Sequence, residues 1–213
     1  TLRHLERAGV KVWTRDMANF FIPAGQSYRS GDYTVPGDYS SAAFLQAAAI
    51  VTDSKIHISG LEQEDAQGDK VAGKVMEDIM SGRERTIDLR DTPDLLPILA
   101  VIACLADGET VLNNVAHARK KESDRISAMC RELGKMGATA EELPDGLKIH
   151  GSKLKGAELD GHGDHRIVMA LAVAGLGAEG RTIINGADTV SKSYPGFVND
   201  LSMLGAEMRT VDG

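Results

Sequence analysis

The sequence has 213 residues, of which 42% are hydrophobic and 26% charged, and its formal net charge is −7 at pH 7. A chain of this size can bury one good core, and no stretch approaches the roughly 20 apolar residues of a membrane-spanning helix. The acidic balance excludes a general nucleic-acid-binding protein, which needs a basic face. The two cysteines, Cys104 and Cys130, fall in helical patterns. They predict a reducing, cytoplasmic setting without a disulfide.

The first 36 residues are interpreted as the end of a domain whose beginning lies before Thr1. The predicted elements are a helix over 2–8 and strands over 9–13, 20–23 and 33–35. This order matches only the last part of the unit that follows, so we expect a boundary near Pro36-Gly37. Residues 1–36 would then finish a preceding lobe.

Residues 37–213 are predicted to form one α/β domain from three copies of one unit, at about 37–90, 91–150 and 163–213. Each copy has an aspartate, an alanine-rich apolar helix, a short strand and a second, amphipathic helix. The predicted first helices are 39–50, 95–105 and 165–178, the strands 56–60, 110–114 and 182–186, and the second helices 70–80, 122–136 and 197–204. Further strands are expected at 86–89 and 138–142, with 147–150 as a hairpin partner across Pro144-Asp145-Gly146. Because helices that are apolar on all sides cannot face water, the three first helices must be buried together, with the strands outside.

The three aspartates, Asp38, Asp94 and Asp164, stand where a helix N-cap is expected. Capping is the simplest explanation for each of them. If the three helices pack around one axis, however, their N-termini meet at one rim, where the positive dipole ends favour an anion. Both interpretations stay open on these residues alone.

The segment 116–126 carries four cations within seven residues, at the start of a predicted helix: Arg119, Lys120, Lys121 and Arg125. The helix dipole opposes cations at this end, so the pattern favours an anionic ligand over a solvated face. The third copy adds the segments 161–166 and 190–195, the second of which contains Lys192. His162 and His165 form a pair without a Cys or carboxylate cluster around it, and we predict no metal site.

Four motifs in this order resemble those of the 5-enolpyruvylshikimate-3-phosphate (EPSP) synthase family, in its C-terminal half. They are Pro93-Asp94, Lys121-Glu122-Ser123-Asp124-Arg125, Gly163-Asp164-His165-Arg166 and Val190-Ser191-Lys192-Ser193-Tyr194-Pro195. The resemblance implies an enolpyruvyl transferase-like lobe of three βαβαββ units with buried helices and outer sheets, plus the tail of a second similar lobe. It also implies a transferase that moves the enolpyruvyl group of phosphoenolpyruvate to the 5-hydroxyl of shikimate 3-phosphate, in aromatic amino-acid biosynthesis, without metal or organic cofactor.

The resemblance also implies roles for individual residues. The catalytic pair would be Asp94 and Glu122, and the phosphoenolpyruvate ligands Arg125, Arg166 and Lys192. Shikimate 3-phosphate would contact Asp94, Lys121 and His117, the last at a position where the family often has Asn. The missing N-terminal lobe would be the partner that completes the site, the whole protein would be a monomer, and this chain alone would be inactive.

Two alternatives remain open. UDP-N-acetylglucosamine enolpyruvyl transferase resembles this family in fold and chemistry, although the Lys-Glu-Ser-Asp-Arg and Asp-His-Arg motifs favour the shikimate enzyme. The other alternative is a non-catalytic half-protein that binds an anion or a partner lobe.

Overall fold

In the computed structural model, which describes residues 1–211, buried helices pack against short sheets. The helices are α1 (Leu2–Arg7), α2 (Tyr39–Val51), α3 (Ala72–Met80), α4 (Leu96–Leu105), α5 (Arg125–Lys135), α6 (His165–Gly177) and α7 (Phe197–Met203). The strands are β1 (Trp13–Arg15), β2 (Asn19–Phe21), β3 (Thr86–Asp88), β4 (Glu109–Asn113), β5 (Thr139–Leu143), β6 (Gly146–His150), β7 (Glu158–Asp160) and β8 (Ile183–Asn185). The expected α/β class is confirmed. The last two residues of the third predicted copy, Asp212 and Gly213, lie outside the described residues.

The core is built on the first helix of each copy. The three helices α2, α4 and α6 contact one another in all three pairings, as the sequence predicts. Every residue of α4 from Leu96 to Cys104 is buried, which suits a helix that is apolar on all sides. The end of α6 approaches α2 closely because Gly177 has no side chain. A Cβ atom there would lie 2.5 Å from Cγ1 of Val51.

The sheets join one copy to the next. β3 runs parallel to β4, with Ile87 opposite Leu112, and β7 runs parallel to β8, with Leu159 opposite Ile184. The predicted hairpin β5–β6 is present and extends the first sheet in the order β3-β4-β6-β5. One backbone hydrogen bond recurs at the end of each parallel pair, from Leu89 N–H to Asn113 O (3.0 Å) and from Gly161 N–H to Asn185 O (2.9 Å). The first copy has the equivalent bond, from Gly37 N–H to Gly60 O (2.8 Å), without a strand pair beside it.

Two predicted strands, 33–35 and 56–60, are wrong, since neither segment pairs with another strand. For 56–60, one of the two neighbours that β4 has is missing, because the connection between the second helix and the next strand is short in the first copy. In the second copy, 22 residues (136–157) join α5 to β7 and include the hairpin. In the first copy, only five residues (81–85) join α3 to β3. The first copy therefore has no hairpin against which its strand could pair.

Residues 1–36 form α1 and the antiparallel hairpin β1–β2, in which Trp13 stacks on Phe21 with ring centroids 5.5 Å apart. Both strands are displaced from the predicted ranges 9–13 and 20–23, the first by four residues at its start. The segment exposes several large apolar side chains, among them Trp13, Met17, Phe20, Phe21, Ile22 and Tyr28. Surface of this kind is typical of a segment that packs against further protein. Within residues 1–211, none of the helices combines the length and apolar character that crossing a membrane requires.

Candidate active site

Arg125 is the centre of a buried charge cluster. It is the first residue of α5, and its side chain is 1% exposed. Nε donates to Asp164 Oδ2 at 2.7 Å and Nη2 to Asp164 Oδ1 at 3.3 Å. Nη1 donates to Asp94 Oδ1 at 2.7 Å, and Nη2 also donates to Glu122 Oε2 at 2.8 Å. One guanidinium group therefore joins carboxylates from the second and third copies of the unit.

Asp94 faces three cations at once. Besides its bond from Arg125, its Oδ1 lies 3.3 Å from Lys121 Nζ and its Oδ2 lies 3.3 Å from Arg166 Nη2. The Asp94 side chain is 31% exposed, so this carboxylate stands at the open side of the cluster. Arg125 lies behind it, between Asp94 and the fully buried Asp164.

The three aspartates of the repeat do not share one role. Asp38 caps α2 by accepting from the N–H groups of Ser40 and Ser41, and Asp164 caps α6 by accepting from the N–H of Arg166. Asp94 makes no such bond, because it lies in the 3₁₀ helix Pro93–Leu95 and α4 begins after Leu95. The capping interpretation is therefore wrong for Asp94, whose carboxylate makes ion pairs instead.

The charges of the cluster compensate one another. Burial acts to raise the pKa of Asp94, but Arg166, Arg125 and Lys121 outweigh it and hold this pKa below its usual range. Asp164 is likewise buried, and its bonds from Arg125, Ser123 and the Arg166 N–H keep its pKa low. Burial acts to lower the pKa of Arg125, and its carboxylate partners raise it. At neutral pH these groups are ionised.

The structure brings together most of the site residues expected from the sequence. Asp94, Lys121, Glu122, Arg125 and Arg166 form the cluster just described. Lys192 approaches it from the third copy, where its Nζ donates to the Gly163 carbonyl at 3.3 Å. His117 is exposed in the 3₁₀ helix Ala116–Lys120 and, among the described residues, makes no side-chain hydrogen bond or ion pair.

Arg119, one of the four clustered cations, belongs to the fold. Its guanidinium donates to Asp124 at 2.8 Å, to Glu142 at 2.7 Å and to the Leu143 carbonyl at 2.7 Å. It thereby ties the start of α5 to the β5–β6 hairpin. Asp124 caps α5 by accepting from the Ser127 N–H at 3.0 Å.

Sequence reasoning missed three residues that the structure places at the site. Ser123 Oγ donates to Asp164 Oδ2 at 3.1 Å. His165 is buried, its Nδ1 has no partner among the described residues, and burial lowers its pKa. Asp69 is buried and accepts from Ser40 Oγ; burial raises its pKa, while the nearby Arg166 opposes that rise. Ser123 and His165 lie inside the motifs named above, and this position could have predicted that they belong to the site.

The fold and the cluster define an α/β lobe of repeated units whose helix N-termini carry paired cations and carboxylates. The chain belongs to the EPSP synthase family: a family model described as EPSP synthase (3-phosphoshikimate 1-carboxyvinyltransferase) matches residues 1–201. The predicted family is confirmed.

Curated relatives carry the same name. A 3-phosphoshikimate 1-carboxyvinyltransferase of Ruminiclostridium cellulolyticum is 44% identical over 228 residues, which are 99% of this chain and 54% of that protein. One of Methanocella arvoryzae is 46% identical over 226 residues, with 98% and 53% covered. The chain thus spans about half the length of the curated relatives it matches, as expected for a C-terminal half.

A solved EPSP synthase of Acinetobacter baumannii superposes with a TM-score of 0.79 at 27% identity, covering 96% of this chain and 53% of that one. With 228 aligned positions against 99% of 213 residues, the Ruminiclostridium relative has about 17 positions without a counterpart here.

Proposed function

We propose that this chain is the half of an EPSP synthase that carries its carboxylate pair, and that the whole protein transfers the enolpyruvyl group of phosphoenolpyruvate to shikimate 3-phosphate. The observation that carries the proposal is the position of Asp94. Its carboxylate pairs with Lys121, Arg125 and Arg166, and the Arg125 guanidinium also binds Glu122. Two carboxylates are thereby set beside cations that suit an anionic substrate.

The reaction needs groups that move protons and groups that hold anions. The 5-hydroxyl of shikimate 3-phosphate attacks C2 of phosphoenolpyruvate, and a proton is added at C3. The tetrahedral intermediate then loses a proton from C3 and expels phosphate. Asp94, which is ionised, is assigned to orient or deprotonate the hydroxyl. Glu122 is assigned the proton transfer at C3, for which shielding from water must come from elsewhere, since its side chain is 42% exposed here.

The cations are assigned to different groups of the two substrates. Arg166 is suited to the carboxylate of phosphoenolpyruvate because a guanidinium can donate two parallel bonds, and Lys192 is suited to its phosphate as a point charge. Arg125 is fixed from behind by Asp164, and its forward nitrogens bind Asp94 and Glu122. Its assignment to phosphoenolpyruvate therefore requires the substrate to replace one of these two carboxylates. Lys121 and His117 are assigned to the shikimate side.

The rest of the proposal concerns the whole protein. Residues 1–36 finish a preceding lobe, which supplies the remaining substrate contacts, and residues 37–213 form the lobe with the three copies. The exposed apolar side chains of the first segment support this division. The whole protein acts as a monomer in the cytoplasm, in keeping with two free cysteines, Cys104 and Cys130. No cofactor is assigned to the reaction.

The test is phosphate release from phosphoenolpyruvate and shikimate 3-phosphate, measured with this chain alone and with an added N-terminal half of a relative. We expect negligible release from the chain alone and turnover from the pair. UDP-N-acetylglucosamine, offered in place of shikimate 3-phosphate, serves as the competing acceptor. Turnover with that acceptor, or full activity of the chain alone, would contradict the proposal.

A further inference from the structure

A second buried carboxylate lies on α5, two turns beyond Arg125. Glu132 is fully buried and its two oxygens accept four hydrogen bonds. Oε1 accepts from His162 Nε2 at 2.9 Å and from Lys135 Nζ at 3.0 Å. Oε2 accepts from Lys135 Nζ at 2.7 Å and from the Asp160 N–H at 3.0 Å. The three residues that donate these bonds, Lys135, Asp160 and His162, lie outside the motifs that predict the function.

The position of Glu132 on the helix relates it to the candidate site. Seven residues make about two turns and about 10.5 Å of helix, so Arg125 and Glu132 lie on the same face of α5. Arg125 binds the side chain of Asp164, and Glu132 binds residues 160 and 162 just before it. One rigid helix therefore holds the segment 160–164 at two separate points.

That segment has a backbone conformation that needs such support. His162 has φ 52° and Gly163 has φ 66°, so two successive residues are left-handed, and only glycine adopts this conformation without cost. Gly161 is packed so tightly that a Cβ atom there would lie 2.4 Å from Val168 Cγ2. The segment ends on Asp164, which caps α6 at Arg166, and its Gly163 carbonyl accepts from Lys192.

A carboxylate is a costly choice for a purely structural contact in this place. Removing a charge from water carries a large penalty, and an apolar side chain of similar size fills a core position at least as well. The bonds from Lys135, Asp160 and His162 offset the penalty and hold the pKa of Glu132 below its usual range, although burial opposes this. Glu132 thus holds one loop through charged hydrogen bonds. That loop leads into Arg166 and contains Gly163, whose carbonyl accepts from Lys192.

We propose that Glu132 is a positioning residue of the candidate site: through Asp160 and His162 it fixes the loop 160–163 and so sets the places of Arg166 and Lys192. The inference rests on the proposed function for what the loop positions, an anionic substrate. Glu132 itself touches no substrate. It acts through the loop alone.

The experiment uses the chain as it exists, with inorganic phosphate and phosphoenolpyruvate as probes in an NMR titration. Glu132→Gln keeps the size of the side chain and removes its charge. His162→Gln removes the imidazole that donates to Glu132 and leaves Glu132 in place. Glu141→Gln is the matched control, because it breaks the exposed ion pair with Lys148 on the β5–β6 hairpin, away from the loop. We expect the dissociation constants for both anions to rise at least tenfold in Glu132→Gln and several-fold in His162→Gln, and to stay within twofold in the control.

Amide hydrogen exchange separates this inference from the proposed function. The N–H groups of Asp164 and Arg166 are bonded to Gly161 O and Asp164 Oδ1, and we expect both to exchange at least tenfold faster in Glu132→Gln, while amides of α4 stay protected. If wild type binds neither anion, binding needs the substrate contacts of the preceding lobe, and exchange alone decides the inference. If Glu132→Gln does not fold, His162→Gln decides it by the same two readouts. Unchanged exchange at Asp164 and Arg166, or unchanged anion affinity in a variant that merely melts earlier, would overturn the proposal.

Discussion

The first and second copies of the repeated unit follow the same plan and differ in how completely they cover their helices. In the second copy, α4 is buried along its length and its strand β4 lies between β3 and β6. In the first copy, Leu45 and Ile50 of α2 are only half-buried, and the segment 56–60 has no strand partner. The first copy lacks the hairpin that supplies β6 as one neighbour of β4. The buried helices keep the fold together, and a copy can lose its outer strands without losing its place in the core.

The same two copies also differ at their aspartates. Asp38 is exposed and caps α2, whereas Asp94 leaves the cap position and binds cations. Near the start of its second helix the first copy has Asp69 and Lys70, whereas the second copy has Lys121, Glu122 and Arg125. The repeat therefore supplies the architecture, and the candidate chemistry arises where one copy departs from the common plan.

The largest effect is expected from breaking the buried ion pair of Arg125. Asp164→Asn leaves the guanidinium buried without its main partner, which should cost about 3–5 kcal/mol of unfolding free energy. Asp38→Asn, at the equivalent cap of the first copy, should change stability by only a few tenths of a kcal/mol, because Asn caps a helix as well as Asp. Urea unfolding of the two variants measures the difference. Equal losses would show that the two caps are equivalent after all.

A second comparison concerns the strand that each copy places after its first helix. Leu112 of β4 is fully buried, and Leu112→Ala should cost about 2–5 kcal/mol. Ile58 in the unpaired segment is only half-buried, and Ile58→Ala should cost about 1 kcal/mol or less. Hydrogen exchange gives an independent measurement: amides of 55–59 should exchange freely while those of β4 are protected. Protection of 55–59 would mean that this segment pairs in solution.

The third comparison concerns catalysis in the protein completed with an N-terminal half. Asp94→Asn and Glu122→Gln should lower turnover at least 100-fold, which corresponds to about 2.7 kcal/mol of barrier, because each removes a proposed acid or base. Melting temperature should fall much less than in Asp164→Asn, because Arg125 keeps its buried partner Asp164 in both variants. Asp38→Asn should reduce turnover far less. Loss of stability with most of the turnover retained would place the chemistry elsewhere.

Much of the fold was accessible from the sequence because its signals are local. The alanine-rich helices have no polar face, so they can be placed only in the core, and Pro144-Asp145-Gly146 marks the β5–β6 turn. The predicted strand 56–60 was wrong because the alternation of Ile56 and Ile58 is local, whereas strand formation depends on partner segments elsewhere in the chain. Sequence reasoning about one segment cannot see a missing partner.

The candidate site could be predicted from the sequence only in part. The motifs located Asp94, Lys121, Glu122, Arg125 and Arg166, but a cluster of cations does not say which one turns inward. The helical period contained that information. Arg125 and Glu132 lie on the same face of α5 as the buried residues Met129 and Leu133. A charged residue on an apolar face needs a partner of opposite charge; Arg125 has the buried Asp164, and Glu132 has the half-exposed Lys135.

The smallest effect is a dependence of stability on pH, and its sign differs between two buried carboxylates. The pKa of Glu132 is lowered in the folded chain, so its stabilisation is present above its unfolded pKa and is lost as pH falls through the folded one. The pKa of Asp69 is raised by burial, so its ionised form disfavours folding and acidification relieves this. Glu132→Gln should therefore be less stable than wild type at pH 7 and approach it toward pH 3. Asp69→Asn should be more stable than wild type at pH 7, by an amount that shrinks as Asp69 takes up its proton. Urea midpoints between pH 7 and 3 measure both differences, and the same sign for both variants at pH 7 would contradict this account of the two carboxylates.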